Sequence, residues 1–502
     1  MGRGFDDNLD ASAGRKRLGL RHDAVAVAVL GALAALLVGP SLFATPMTHD
    51  SFWIDYVWAK QFSAELARGQ IYPRWLPESF SGLGAPVFYF YPPLAFYAVA
   101  LFDLAGAPTY AALLIAFGVF FFLSGWGGYL LFRGEGKRPL LGAAFLVVAP
   151  YHLTDFYLRG ALAESAAIAL LPFLALGLRV LRNERRWLGT AIAYAMLIMT
   201  HLPMALLASI FLIVPAFALF REARRPLAMA VVTGIGLAAI YLIPALALAS
   251  FRDEAQLYIE ARLIPGYWGL IGAHWNDQFV VISHLLVAGI ALPAALLWLK
   301  ERDGRLLYCL AICAFALVLV PFFWSLPLVA KVQFPFRILP FAELALAAYL
   351  ARSTLDSRLL LLALLPALTM SWLVSHLPTA RPVTLAELDR VMPDVAEFLP
   401  PNTINHDLEV SDYPDFRQGR VPPPTREGGV LLDPVFYFPI WSCGDRDPAT
   451  SQLARPAGCT PVRIRNPAEL WGLAISIATL LMLLGHSLRR RLRRQETWLR
   501  AA

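Results

Sequence analysis

Charge is what this sequence has least of. Only 16% of its 502 residues are Asp, Glu, Lys or Arg, against 58% hydrophobic, and the mean hydropathy is +0.57. Apolar runs long enough to cross a bilayer core of about 30 Å recur along it, which excludes an ordinary solvated globule and points to a polytopic membrane protein. Cysteine is nearly missing, with four residues in all. Cys309 and Cys313 fall one helical turn apart inside an apolar run, and two thiols alone make a poor metal site, so they read as packing. No solenoid or propeller period is visible. The formal charge of +7 comes mostly from short basic clusters between apolar runs, a pattern of membrane topology, which argues against a nucleic-acid partner.

Those clusters assign sides. "GRKRLGLRHD", "RGEGKR", "RNERR", "REARR", "KERDGR", "RSTLDSR" and "RRRLRR" each mark a cytoplasmic segment. The first apolar run, Ala24 to Ala44, is longer than a secretory core and lacks a convincing cleavage site, so it reads as a retained helix behind a cytoplasmic N-terminus, 1–23. Parity then allows only one crossing between that helix and Arg133, yet two apolar stretches lie there. The Pro92-Pro93 pair opens the first, removing backbone donors that hydrocarbon cannot replace. Residues 45–108 are therefore expected to form one large extracytoplasmic loop, with interfacial helices near Trp53–Leu66 and Leu94–Leu104. In the first, Ile54, Trp58, Phe62 and Leu66 recur every fourth residue while Asp55, Lys60 and Glu65 face elsewhere.

The expected fold is an all-α bundle of about twelve transmembrane helices with both termini inside. The transmembrane domain occupies 24–376. Between 377 and 467 apolar periodicity stops, marking a small extracytoplasmic domain whose "GGVLLDPVFYFPIW" suggests strands, followed by a final helix over 468–488 and a basic tail, 489–502. Cys443 and Cys459 are the only thiols of that domain and are expected to bridge, stabilising by roughly 3 kcal/mol.

The same topology gathers the unusual polar residues on the outer side: His49 and Asp50 in "THDSFW", Asp155, Tyr157, Arg159 and Glu164 in "YHLTDFYLRGALAES", His201 in "MTHLP", and Gln333 and Arg337 in "KVQFPFR". Ionisable groups at membrane depth are costly unless paired, so this convergence is a candidate site. Each residue also has a plainer reading. Asp50 can cap the helix that begins at Ser51, Arg159 and Glu164 can be a structural ion pair, His201 can satisfy backbone freed at Pro203, and Arg337 can snorkel. Trp53, Tyr89, Phe90 and Tyr91 can stack on sugar faces or form an aromatic belt.

The stretch "HDSFWIDYVWAKQFSAELARGQIYPRWLPESFSGLGAPVFYFYPPL", with "DFYLRGALAES", "THLPMAL" and "VQFPFR", resembles the class C (GT-C fold) glycosyltransferases. More narrowly, it resembles the bacterial membrane proteins named for a 6-pyruvoyl-tetrahydropterin-synthase-related domain. The likeness covers most of the chain up to about Ala351. It implies an envelope enzyme of the bacterial inner membrane, with its active site facing the periplasm or exterior. That enzyme would move sugar from a polyprenyl-phosphate donor to a glycan, lipid or protein acceptor. The early-loop acid, here Asp50, matches the family's catalytic base; His49, Asp155, Tyr157, Arg159, Glu164, His201, Gln333 and Arg337 are the candidate substrate-binding residues. No DxD or paired-acid motif stands at that point, so a divalent cation, magnesium or manganese on Asp50, Asp155 or Glu164, is an optional cofactor. The pterin chemistry in the name is not implied, because no histidine cluster of a zinc-dependent synthase occurs. Rival readings are a flippase for lipid-linked saccharide and a non-catalytic partner in surface-glycan assembly. A flippase calls for polar residues through the membrane depth and an inverted repeat, neither of which the sequence displays.

Overall fold

The computed structural model describes residues 3–44, 47–48, 51–134, 136–252, 258, 261–270, 274–376, 381–384, 387, 395, 398, 424–427, 430–448 and 451–501. His49 and Asp50 lie outside the described residues.

Among the described residues seven helices are long and apolar enough to cross a membrane: Arg21–Phe43, Thr109–Phe132, Pro139–Arg159, Leu162–Glu184, Leu202–Leu219, Gln278–Glu301 and Pro467–Gly485. An eighth arises if Arg221–Leu237 and Ala239–Ala247, bent by 68°, form one span. The expected twelve is thus not reached by full-length helices. Of the expected crossings, Leu188–Thr200, Gly304–Leu317 and Leu339–Arg352 are helices of 13, 14 and 14 residues, which at about 1.5 Å per residue fall short of a full hydrocarbon core, and Leu94–Asp103, expected at the interface, is shorter still. The bend at Ala238 is satisfied from outside its own helix: Ser476 Oγ accepts the Ile240 N–H at 2.8 Å and donates to the Leu237 carbonyl at 2.9 Å. A side chain of the last span thereby supplies what the broken ladder gives up.

Close helix contact is bought with small residues. In "SGWGG" of the Thr109–Phe132 helix, a Cβ on Gly125, Gly127 or Gly128 would stand 2.6 Å from Val147, 2.8 Å from Phe173 and 2.6 Å from Leu146 respectively. Any larger residue there would push neighbouring helices apart.

The segment between the first two spans does not float. Its Phe52–Ala67 helix buries Asp55, Tyr56, Trp58, Phe62 and Glu65 on several faces, so Asp55 and Glu65 do not face headgroups as the fourfold spacing suggested. The covering comes from Tyr72–Tyr97 and from the late segment, which periodicity cannot foresee. Phe398, Phe436, Phe438 and Ile440 share one hydrophobic core with Phe62, Phe88 and Phe96. Tyr89 is 3% exposed and donates to Glu469 at 2.6 Å, Phe90 stacks on Phe398, and Tyr91 meets Trp58 edge-on. Tyr89 and Phe90 belong to this hydrophobic core, and Tyr91 packs against it.

The late segment forms a four-stranded antiparallel sheet of β1 Thr425–Glu427, β2 Val430–Phe436, β3 Asp445–Arg446 and β4 Gln452–Pro456, in the order β1-β2-β4-β3. Cys443 and Cys459 are joined, their Cα atoms 6.6 Å apart. A second, two-stranded pairing links Met47–Thr48 to Arg381–Pro382. Cys309 and Cys313 are unbonded and buried in the helical core.

Candidate functional site

Pro150 restarts the helix of the third span, and the chain then widens into a π-helical turn at Asp155–Arg159, ended by Gly160 at φ 60°. A Cβ at Gly160 would lie 2.6 Å from Phe52 Cβ, so only glycine lets the early loop approach. It does approach: the Ser51 N–H donates to the Arg159 carbonyl at 2.7 Å. Four residues past Gly160, Glu164 sits in the first turn of Leu162–Glu184, where the helix dipole favours an anion.

Glu164 is the hub. Its Oε2 accepts from Arg159 Nη1 at 2.6 Å and from Arg337 Nε at 2.9 Å, while Oε1 accepts from the Tyr151 hydroxyl. Arg159 also donates to Asp155 at 2.9 Å, and Arg337 to the Val332 carbonyl at 2.6 Å. Phe334 lies across both guanidinium groups, with Cζ-to-centroid distances of 5.4 Å for Arg159 and 4.7 Å for Arg337. Two guanidinium groups and two acidic side chains, all buried, form one hydrogen-bonded network, so each charge that lies away from water has a partner.

Of the other sequence candidates, His201 is buried within electrostatic reach of Glu164, Arg159 and Arg337 and caps Leu202–Ala208 by accepting the Met204 N–H at 3.3 Å. Gln333 is half-buried at φ 67°, in the turn that presents Arg337. Tyr157 is not at the centre: its hydroxyl donates to Leu37 at 2.6 Å and ties the π turn to the first helix.

Sequence reasoning missed three participants. Tyr151 closes the network, and its N–H donates to Glu343 Oε1 at 2.6 Å. Glu343 is 1% exposed, and a lone acid within "LPFAELALAAYL" was the available signal. Asp55 reaches across 107 residues to accept the Leu162 N–H at 2.9 Å, capping the Glu164 helix from another element. Burial drives its pKa up to about 7, with the Leu162 N–H and the charge of Arg159 pulling the other way.

A cavity of about 260 Å³ opens beside the network. Its polar wall holds Arg159, Arg262, Thr154 and Ser283; its apolar wall includes Ile282 and Leu286, with Trp268 and Phe336 meeting edge-on at 4.9 Å. Arg337 is not on the wall but shares Glu164 with Arg159, which is. Of the three candidate metal ligands, Glu164 has both oxygens engaged by Arg159, Arg337 and Tyr151, and Asp50 lies outside the described residues. No group of three His, Cys, Asp or Glu placed to hold a metal occurs among the described residues.

Fold and site together define a polytopic membrane protein with a buried ionic centre beside an amphiphilic cavity. No protein family model matches the chain, and no curated protein matches it. Among solved structures it is similar to the arabinofuranosyltransferase AftD from Mycobacteria, with 18% identity and a TM-score of 0.44 over 73% of this chain and 28% of that one. Two classes of a mutant of that enzyme match with 16% identity at TM-scores of 0.46 and 0.44, over 72% and 70% of this chain and 29% and 28% of theirs. The chain spans less than a third of the length of these structures.

Proposed function

We propose that this chain is a GT-C-type membrane glycosyltransferase that moves a sugar from a polyprenyl-phosphate carrier to a glycan, lipid or protein acceptor on the extracytoplasmic face. The observation that carries the reading is the cavity, in which guanidinium groups and hydroxyls face an apolar wall. A lipid-phosphate donor has the same two-part chemistry. In the reaction the acceptor oxygen bonds to the anomeric carbon, the carbon–oxygen bond to phosphate breaks, and the phosphate leaves with the electron pair. Arg159, on the wall, stabilises that growing charge. Arg337 acts as a positioning residue, because it holds Glu164 and so fixes Arg159. Glu164 and Asp155 hold the guanidinium groups in place through charge-assisted hydrogen bonds.

A base must take the acceptor proton, and Asp50 is our assignment. Support comes from chain connectivity: Asp50 precedes Ser51, whose N–H is bonded to Arg159. With radiolabelled donor and natural acceptor, Asp50→Asn should retain donor binding while turnover falls by a factor on the order of 10² to 10⁴. Asn is itself a good helix cap, so a merely structural Asp50 would tolerate the change. Full turnover in Asp50→Asn would end the assignment.

A further inference from the structure

A second cavity, of about 500 Å³, shares no wall residue with the first. Three distant segments build it: Gln70–Arg74 and Tyr89 of the early loop, Ile240 at the bent helix, and Arg463–Leu473 where the last span begins. At its heart is Arg74, 5% exposed, whose guanidinium lies 3.7 Å over the Tyr72 ring. Arg74 donates to the Ile240 carbonyl at 2.7 Å and pairs with Glu469 at 3.4 Å. Its Nη1 is buried without a hydrogen-bond partner among the described residues. Arg463 and Arg465 line the same cavity, so three cations face one carboxylate, Glu469, with Glu65 approaching Arg463 only at 3.9 Å. A buried donor left unmade is expensive, and an excess of guanidinium around it calls for an anion with several acceptor oxygens.

We propose that this cavity binds the phosphate group of a membrane lipid. The phosphate oxygens accept from Arg74 Nη1 and from Arg463 and Arg465, and the acyl chains leave along the last span. That exit is apolar: Leu470 and Leu473 line the cavity, while Leu470 and Trp471 turn 50% and 67% of their surface outward at the head of a helix long enough to cross the bilayer. A free phosphate ion would use the cations but not this wall. The site stands apart from the transferase reading and does not depend on it.

Native mass spectrometry of the full chain released from mild detergent tests both halves, titrating dioctanoyl-phosphatidylglycerol, dioctanoylglycerol and inorganic phosphate in turn. The phosphatidylglycerol adduct should form well below the concentration needed for dioctanoylglycerol and should resist equimolar inorganic phosphate. It should weaken at least tenfold when Arg463→Gln and Arg465→Gln are combined, Arg465 being exposed and Arg463 partly so, and again in Arg74→Gln. Unchanged affinity in the paired variant, or equal retention of dioctanoylglycerol, overturns phosphate recognition. Displacement of the lipid by equimolar inorganic phosphate overturns the lipid assignment and makes the cavity a site for the free ion.

Discussion

Replacing Asp55 with Asn should remove the part of the protein's pH-dependent stability that Asp55 contributes between about 4 and 7. Asp55 is 3% exposed, and its carboxyl pKa is raised from 3.8 to about 7, chiefly by burial. Across that window the native state holds a proton that the unfolded chain has released, so stability falls as pH rises and is flat outside it. Some three pH units at about 1.4 kcal/mol each make the full swing about 4 kcal/mol, an upper figure because compact unfolded states also shield acids. Asn keeps a carbonyl oxygen for the Leu162 N–H, now 2.9 Å from Asp55 Oδ2, but cannot titrate. Thermal melts followed by tryptophan fluorescence, in one detergent from pH 5 to 8, should slope downward more steeply in the native chain than in Asp55→Asn, with the variant the more stable above pH 7; the buried acid Glu343 leaves a residual downward slope in both. Asp55→Ala, which strands the N–H, should lie about 1–3 kcal/mol below Asp55→Asn at every pH. Parallel slopes in the native chain and Asp55→Asn would refute the argument.

Glu164→Ala removes the shared acceptor of two buried arginines and should cost about 3–5 kcal/mol, seen as a large fall in melting temperature; Glu164→Gln should recover part of it. Cys443 and Cys459 should be bonded in protein purified without reductant, as intact mass before and after reduction will read, and Cys459→Ser should cost roughly 3 kcal/mol. A single cysteine at Gly106 or Pro108 should be labelled by impermeant maleimide from outside the cell; protection there would mean that Leu94–Asp103 crosses the membrane.

The ionic network was legible because charge is so rare in this chain: Asp155, Arg159, Glu164 and Arg337 stand out from apolar surroundings, and positive-inside counting puts them on one side. Their pairing was legible only as an alternative, since nothing local tells Glu164 that Arg337, 173 residues on, will share its oxygen. Asp55 was misread for a related reason. A fourfold apolar spacing reports one buried face, and the Phe52–Ala67 helix has several, covered by chain far away in sequence. The expected count of twelve is matched by full-length helices only in part, and it falls short where apolar runs are short, because hydropathy registers composition while a full crossing requires length. Tyr157 looked like a site residue by proximity to Asp155 and Arg159, but the π turn rotates it toward the first helix.

The contact between Tyr89 and Glu469 joins residues 380 positions apart, and Phe88, Tyr89 and Phe90 share their core with Phe398 and Phe438. During synthesis the early loop emerges hundreds of residues before the chain that covers it. At about 5–20 residues per second it waits on the order of half a minute, its aromatic surface bare. Two consequences follow for handling this protein. Fragments ending before the late sheet should aggregate or be degraded even though their spans are intact, and expression should respond more to slowed translation after residue 376 than to slowed translation before residue 52.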